Sequence, residues 1–355
     1  MRTKLKVEGS VFLAKKGLEY FRTFAMKLRG KVEDYDYFNV ICNSIRKEDL
    51  VRILETRIPS HQIAKVEDKK DGKIDRCDLE SSIMARYWNA PGCREVVRQI
   101  LFELVADLQK KLAKPFKRRD VVAERFQEMC RFFHLTKLEA DILFLSYLLG
   151  RRILEDPERG RAVREYMKVN RIALWLGQPS FLIRAAVADR EKLRKYNCLD
   201  NDLDFNDELC GFLHGINNEP LSSAYYAPCK DKPLPWNFHA GIIKKHGAVL
   251  RDLIAKRGAK RGLNILLYGC PGTGKTSFAR SLAAELGVTC YGIAQNVQSK
   301  SGDRSCSAPE FRFGALQICD MQVDPANSMI VIDEADEMLR GRYGGDGLLA
   351  LLGGG

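Results

Sequence analysis

Through the N-terminal half of the chain, apolar side chains recur at three- and four-residue steps. Over 94–113 they fall at Val97, Ile100, Leu101, Leu104, Val105, Leu108 and Leu112, one face of an amphipathic helix. Val122, Phe126, Met129 and Phe133 repeat the spacing over 119–133, and Tyr37, Val40, Ile41 and Ile45 over 35–57. Residues 10–29 also read as helix. Thr136 and Glu139 form a T-x-x-E capping box ahead of ILFLSYLLG, able to satisfy two helix-start N–H groups reciprocally. The helix they open is apolar nearly all round, so it belongs at the centre of its domain. Pro179 and Ser180 start a further helix through FLIRAAVADREKLRKY, and Gly215 suits the C-terminal cap of LDFNDELCGFLHG. Residues 1–215 therefore read as a mostly α-helical region, with a candidate subdomain split near 60–90.

Residues 216–240 break the pattern. They hold four of the twelve prolines, at 220, 228, 233 and 235. Proline removes a backbone donor and disfavours helix in the residue before it, so this stretch reads as a linker. A basic helix over 240–258 follows. The period then changes. Leu263 to Tyr268 reads as a buried strand, and Phe278, Leu282 and Leu286 mark one face of a helix ended by Gly287. Val288 to Ala294 reads as a second strand, 298–310 as a polar loop, Phe311 to Met321 as a helix, and Met329 to Ile332 as a further buried strand. Strands alternating with helices predict a parallel α/β layer over 241–355.

Between the first strand and its helix lies Gly269-Cys270-Pro271-Gly272-Thr273-Gly274-Lys275-Thr276, which fits G-x-x-x-x-G-K-[ST]. Glycines let the backbone curl so that N–H groups face phosphate oxygens. The pattern assigns Lys275 to the β- and γ-phosphates and the Thr276 hydroxyl to Mg²⁺, with Ser277 next in the helix. The N-terminus of that helix turns its positive dipole end to the same anion. A partner acid is expected at the tip of another buried strand, and Asp333-Glu334 stands there. Asp333 would hold the hydration shell of Mg²⁺. Glu334 would polarise the attacking water as general base, the role that separates hydrolysis from binding.

GCPGTGKT followed by SFARSLAAELG and then IVIDEADEML resembles the first half of an AAA-type P-loop ATPase module. The likeness covers 241–340. It implies a P-loop NTPase core that binds ATP and Mg²⁺, works as a homo-oligomeric ring, and couples Mg²⁺-dependent ATP hydrolysis to remodelling of a macromolecular partner. The segment QNVQSKSGDRSCS, where unfoldases of this kind carry an aromatic pore loop, has no aromatic residue. A sensor-1 polar residue, an arginine finger and a helical lid would follow the acidic strand in the family, and the sequence shows none. The expectation is a core incomplete at its C-terminus and hydrolysis-deficient by itself. Its sensor-1 strand would lie between the strands at 263–268 and 329–332, so a gap or a non-native pairing is expected there.

Composition changes this picture little. The formal net charge of +12 is concentrated at 1–31 and 241–261, where it could meet phosphate backbones, acidic partners or only solvent. The helix after Pro179 carries Arg184, Arg190, Lys192, Arg194 and Lys195, compatible with an approach to DNA. This keeps a second reading open: a nucleotide-dependent scaffold or DNA-associated switch whose helical N-terminal region carries the function. The eleven cysteines are dispersed without a C-x-x-C pair, the usage of reduced thiols in a cytoplasmic protein. Cys210, His214 and Cys229 do not have zinc-ligand spacing, and EDKKDGKIDRCD at 67–78 puts Lys69 where an EF-hand needs an oxygen ligand. No run of about 18 apolar residues predicts a membrane span, and the N-terminus lacks a secretory pattern.

Overall fold

The computed structural model describes residues 10–27, 47–58, 93–113, 119–151, 165–216, 219–256, 263–294, 308–335 and 338. The charged stretch at 66–80, the EF-hand-like segment and most of the polar loop at 298–310 lie outside them. The chain divides into two compact units.

The first unit takes in residues up to Cys130, then Leu135–Glu191 and Leu199–Ile216. Its helices are α1 (Val11–Lys27), α2 (Lys47–Arg57), α3 (Arg94–Ala113), most of α4 (Val121–Phe132), α5 (Lys137–Gly150), α6 (Glu165–Leu176), α7 (Ser180–Ala186) and α9 (Asp207–Leu213). The apolar α5 is the centre of this unit, with Ile142, Leu143, Phe144, Leu145, Tyr147 and Leu148 all buried. Its capping box forms: the Glu139 N–H donates to Thr136 Oγ1 at 3.3 Å, and the Thr136 N–H to Glu139 Oε2 at 2.6 Å. Phe144 meets the tilted rings of Phe12 and Phe126, at centroid distances of 4.9 and 4.6 Å. Asp120 fixes two helix starts at once, accepting from the Phe12 N–H at 2.9 Å and the Ala123 N–H at 3.2 Å. Gly215 (φ 67°) ends α9 as expected: the Ile216 N–H reaches back to the Gly211 carbonyl at 3.0 Å.

One expected helix does not run through. The segment after Ser180 stops at Ala186 and restarts as α8 (Lys192–Lys195). Ile183 and Val187 are buried in the first unit, whereas Leu193 and Tyr196 are buried in the second. A straight helix would turn Leu193 well away from the Ile183–Val187 face, so the turn between them resets the phase.

The second unit gathers Arg131–His134, Lys192–Cys198 and the chain from Asn217 onward. A three-stranded sheet runs through it in the order β1 (Tyr226–Pro228), β2 (Thr289–Ile293), β3 (Ser328–Val331). β2 and β3 are parallel, with Thr289 opposite Ser328 and Gly292 opposite Val331. Helix α12 (Ala308–Gln322) lies between them in the chain, the crossover that parallel strands require. β1 adds an antiparallel edge, Tyr226 opposite Ile293, so the sheet is mixed rather than wholly parallel. The proline-rich stretch thus supplies a strand, and also two 3-10 turns at Leu221–Ala224 and Trp236–His239. α10 (Ala240–Lys256) follows. α11 (Lys275–Glu285) packs on β2 and β3 and buries Phe278, Leu282 and Ala283. His239 Nε2 lies 3.1 Å from Ser281 Oγ, whose hydroxyl donates to the Leu234 carbonyl at 2.8 Å. The single hydroxyl hydrogen is thereby used, so the proton between the two side chains belongs to His239.

Leu263 to Tyr268 does not form the expected buried strand. The segment is irregular, and Leu266 and Tyr268 are 70% and 90% exposed. No strand pairs with it among the described residues, and no ladder joins it to β3. An apolar run becomes a strand only where neighbours accept its backbone hydrogen bonds, which its own sequence does not specify. No helix among the described residues is long and apolar enough to cross a membrane.

Candidate nucleotide site

The glycine-rich loop joins the irregular 263–268 segment to α11. Gly272 (φ 77°) and Gly274 (φ 81°) are both left-handed. A Cβ at either would meet nothing within 4 Å, so backbone conformation, not space, demands glycine there. Gly274 is the N-cap of α11, and its carbonyl accepts the Phe278 N–H at 2.8 Å. The Thr273 hydroxyl closes the loop onto the Cys270 carbonyl at 2.9 Å. Lys275 Nζ donates to the carbonyls of Gly269 and Cys270, at 3.0 and 2.8 Å. Its ammonium is thus drawn over the loop, at a helix N-terminus that already favours anions. Gly269, Cys270, Pro271, Gly272 and Thr273 are exposed, and Gly274, Lys275, Thr276 and Ser277 half-buried.

β3 delivers the acidic pair to the same place. The Thr276 hydroxyl donates to Asp333 Oδ1 at 3.0 Å across 57 residues of chain. Two hard oxygen donors at this separation suit Mg²⁺: neighbouring ligands of an octahedron with ~2.0–2.1 Å bonds lie about 2.9 Å apart. Asp333 and Glu334 are both exposed. The Glu334 N–H turns back to Asp333 Oδ1 at 3.2 Å, and Glu334 itself adopts φ 51°, an uncommon conformation for a side-chain-bearing residue.

Arg312 explains how that turn is held. It lies on α12 and is 1% exposed. Its guanidinium donates to the Asp333 carbonyl and, at 3.2 Å, to the Glu334 carbonyl. Sequence reasoning passed over it, although a signal existed. Phe311, Ala315, Ile318 and Cys319 form the buried face of α12, and Arg312 is the charge set among them. His214 shares a hydrogen bond of 2.8 Å with the Tyr147 hydroxyl, and burial, then the Arg151 charge, lower its pKa. No three His, Cys, Asp or Glu side chains among the described residues converge as a metal site.

A glycine-rich loop on a helix N-terminus, with its threonine bonded to an aspartate at the end of a parallel strand, is the arrangement of a P-loop nucleotide-binding core. Residues 265–352 match the ATPase family associated with various cellular activities (AAA), and the chain carries an AAA ATPase domain there. The chain is also similar to mitochondrial Lon protease homologs: 35% identical to that of Rattus norvegicus over 267 residues, and 35% identical to that of Bos taurus over 249. The human homolog is 36% identical over 176 residues, covering 46% of this chain and 18% of its own. The rat alignment covers 66% of this chain, so the likeness reaches beyond the AAA domain. The chain spans 28% of the rat relative's length and 25% of the bovine one's. No solved structure matches the chain significantly.

Proposed function

We propose that the second unit binds ATP with Mg²⁺, and that it serves an ATPase whose hydrolysis remodels a protein partner. The observation that carries the reading is the Thr276–Asp333 hydrogen bond, which joins the phosphate loop to the acidic strand end. In this reading the backbone from Gly269 to Gly274 cradles the phosphates. Lys275 leaves the loop carbonyls for the β- and γ-phosphate oxygens, and Ser277 lies one residue beyond Thr276 in the helix. Thr276 and Asp333 would hold Mg²⁺, which when bound neutralises charge on those oxygens. Glu334 would take the proton of the attacking water. Its carboxylate is exposed, while Arg312 fixes its backbone. A protein rather than a nucleic-acid partner is supported by the likeness to proteins named as Lon proteases. A homo-oligomeric ring is supported by the AAA domain.

Calorimetric titration of the full chain with ATP, against Lys275→Ala, tests the binding. Removing a charge-assisted contact worth ~1.5–3 kcal/mol lowers affinity by about tenfold or more. The circular dichroism of the helices should not change. Equal affinity in the two proteins would remove the phosphate-loop assignment.

A further inference from the structure

Two thiols meet at the β1–β2 edge. One step past its last paired residues, Pro228 opposite Tyr291, the ladder continues: the Cys229 N–H donates to the Cys290 carbonyl at 2.8 Å. Directly opposed residues of an antiparallel pair project from the same face. Cys290 Sγ accordingly donates to Cys229 Sγ at 3.4 Å. Neither cysteine is in a disulfide, and both are half-buried. Gly292 lies two residues along β2, and a Cβ there would stand 3.6 Å from the Cys229 sulfur, an ordinary van der Waals contact. Opposed hydrogen-bonded residues have Cα atoms about 5.5 Å apart, within the range of roughly 4.4–6.8 Å that disulfides span. Side-chain rotation can therefore bring the sulfurs to bonding distance while the backbone stays in place.

We propose that Cys229 and Cys290 are a thiol-oxidation site, forming a reversible disulfide with a low-molecular-weight disulfide of the glutathione class as oxidant. The two thiols divide the work. Burial, and next the hydrogen bond to Cys229, push the Cys290 thiol up to about 12, so it keeps its proton and donates it toward Cys229. Cys229 is then the first nucleophile. Its thiolate attacks one sulfur of oxidised glutathione, forming a mixed disulfide and expelling one glutathione thiolate. Cys290 gives up its proton and attacks the Cys229 sulfur, expelling the second. Two electrons pass from the protein thiols to the glutathione disulfide, and the two thiol protons end on the two released glutathiones. The new bond ties β1, drawn from the proline-rich stretch, to β2. The loop it closes contains the phosphate loop at 269–276. The proposal stands independently of what that loop binds.

The test uses the full reduced chain, equilibrated with graded ratios of oxidised to reduced glutathione, digested without reductant and read by mass spectrometry. Cys270, exposed in the phosphate loop, reports that the reagent has acted. The expected result is a Cys229–Cys290 cross-linked peptide that becomes the majority species as Cys270 takes up glutathione, and that disappears with dithiothreitol. Cys290→Ser should instead accumulate glutathione on Cys229, because the resolving sulfur is gone. Complete modification of Cys270 with no Cys229–Cys290 peptide would overturn the proposal. So would a wild-type Cys229 that keeps its glutathione.

Discussion

Glu334 carries an uncommon backbone and an exposed carboxylate at once, and Arg312 makes the two compatible. The left-handed turn at Glu334 (φ 51°) is held by Arg312 on α12, whose guanidinium donates to the carbonyls of Asp333 and Glu334. Glutamine can keep that turn, because residue 334 contributes only its backbone N–H and carbonyl to the hydrogen bonds that hold it. It cannot take a proton from water. Glu334→Gln is therefore expected to leave Mg²⁺·ATP affinity within about twofold and to reduce any phosphate release by the chain by about 10²–10⁴, the usual range for a general base. Parallel titration and phosphate-release assays would show it, and unchanged turnover would assign the base elsewhere. The residues of this candidate site stand out in the sequence because a phosphate-binding pattern prescribes their types. Gly272 and Gly274 take left-handed positions that favour glycine, and a carboxylate at a strand end is a favoured oxygen ligand for Mg²⁺. Arg312 stood out only as a charge among the apolar positions of α12; its role was not legible, since its partners are backbone carbonyls that any sequence supplies.

Helix α12 shows how tightly the second unit is packed. A Cβ on Gly314 would lie 2.3 Å from the Lys195 carbonyl oxygen. Both are backbone-anchored, so α8 or α12 must move. Gly314→Ala is expected to destabilise the unit by about 1–3 kcal/mol, the cost of overpacking, even though alanine is the better helix former. Gly150→Ala is the control. Nothing lies within 4 Å of its Cβ position, so it should be neutral or stabilising by about 0.5–1 kcal/mol. Urea denaturation of both variants decides this, and equal midpoints would contradict the close approach. The same dependence on neighbours explains which elements could be read ahead. α3 matches its expected limits because a long run at helical spacing fixes a helix almost alone. The 263–268 run and the helix after Ser180 could not be read so. The first needs a pairing strand, and the second is divided by burial in two different units.

At the scale of the whole molecule, a helical unit precedes a unit that carries an AAA ATPase domain over residues 265–352. A change of period follows the prolines in the sequence. It did not signal that the proline-rich stretch would add an edge strand. Tyr226–Pro228 is three residues long and ends on a proline, which is tolerated at an edge but lacks the alternation that marks a strand. The central claim is that two segments distant in sequence make one Mg²⁺-dependent nucleotide site. Its most direct test is the gain in ATP affinity on adding Mg²⁺, measured by calorimetry for the wild-type chain and for Asp333→Asn. The amide removes the negative charge while keeping the size of the group beside Thr276. The wild-type chain should bind ATP more tightly with Mg²⁺ than with a chelator present, and Asp333→Asn should lose most of that gain, about tenfold for a charge-assisted contact of ~1.4 kcal/mol or more. A gain of the same size in the variant, or none in the wild type, would contradict the shared site.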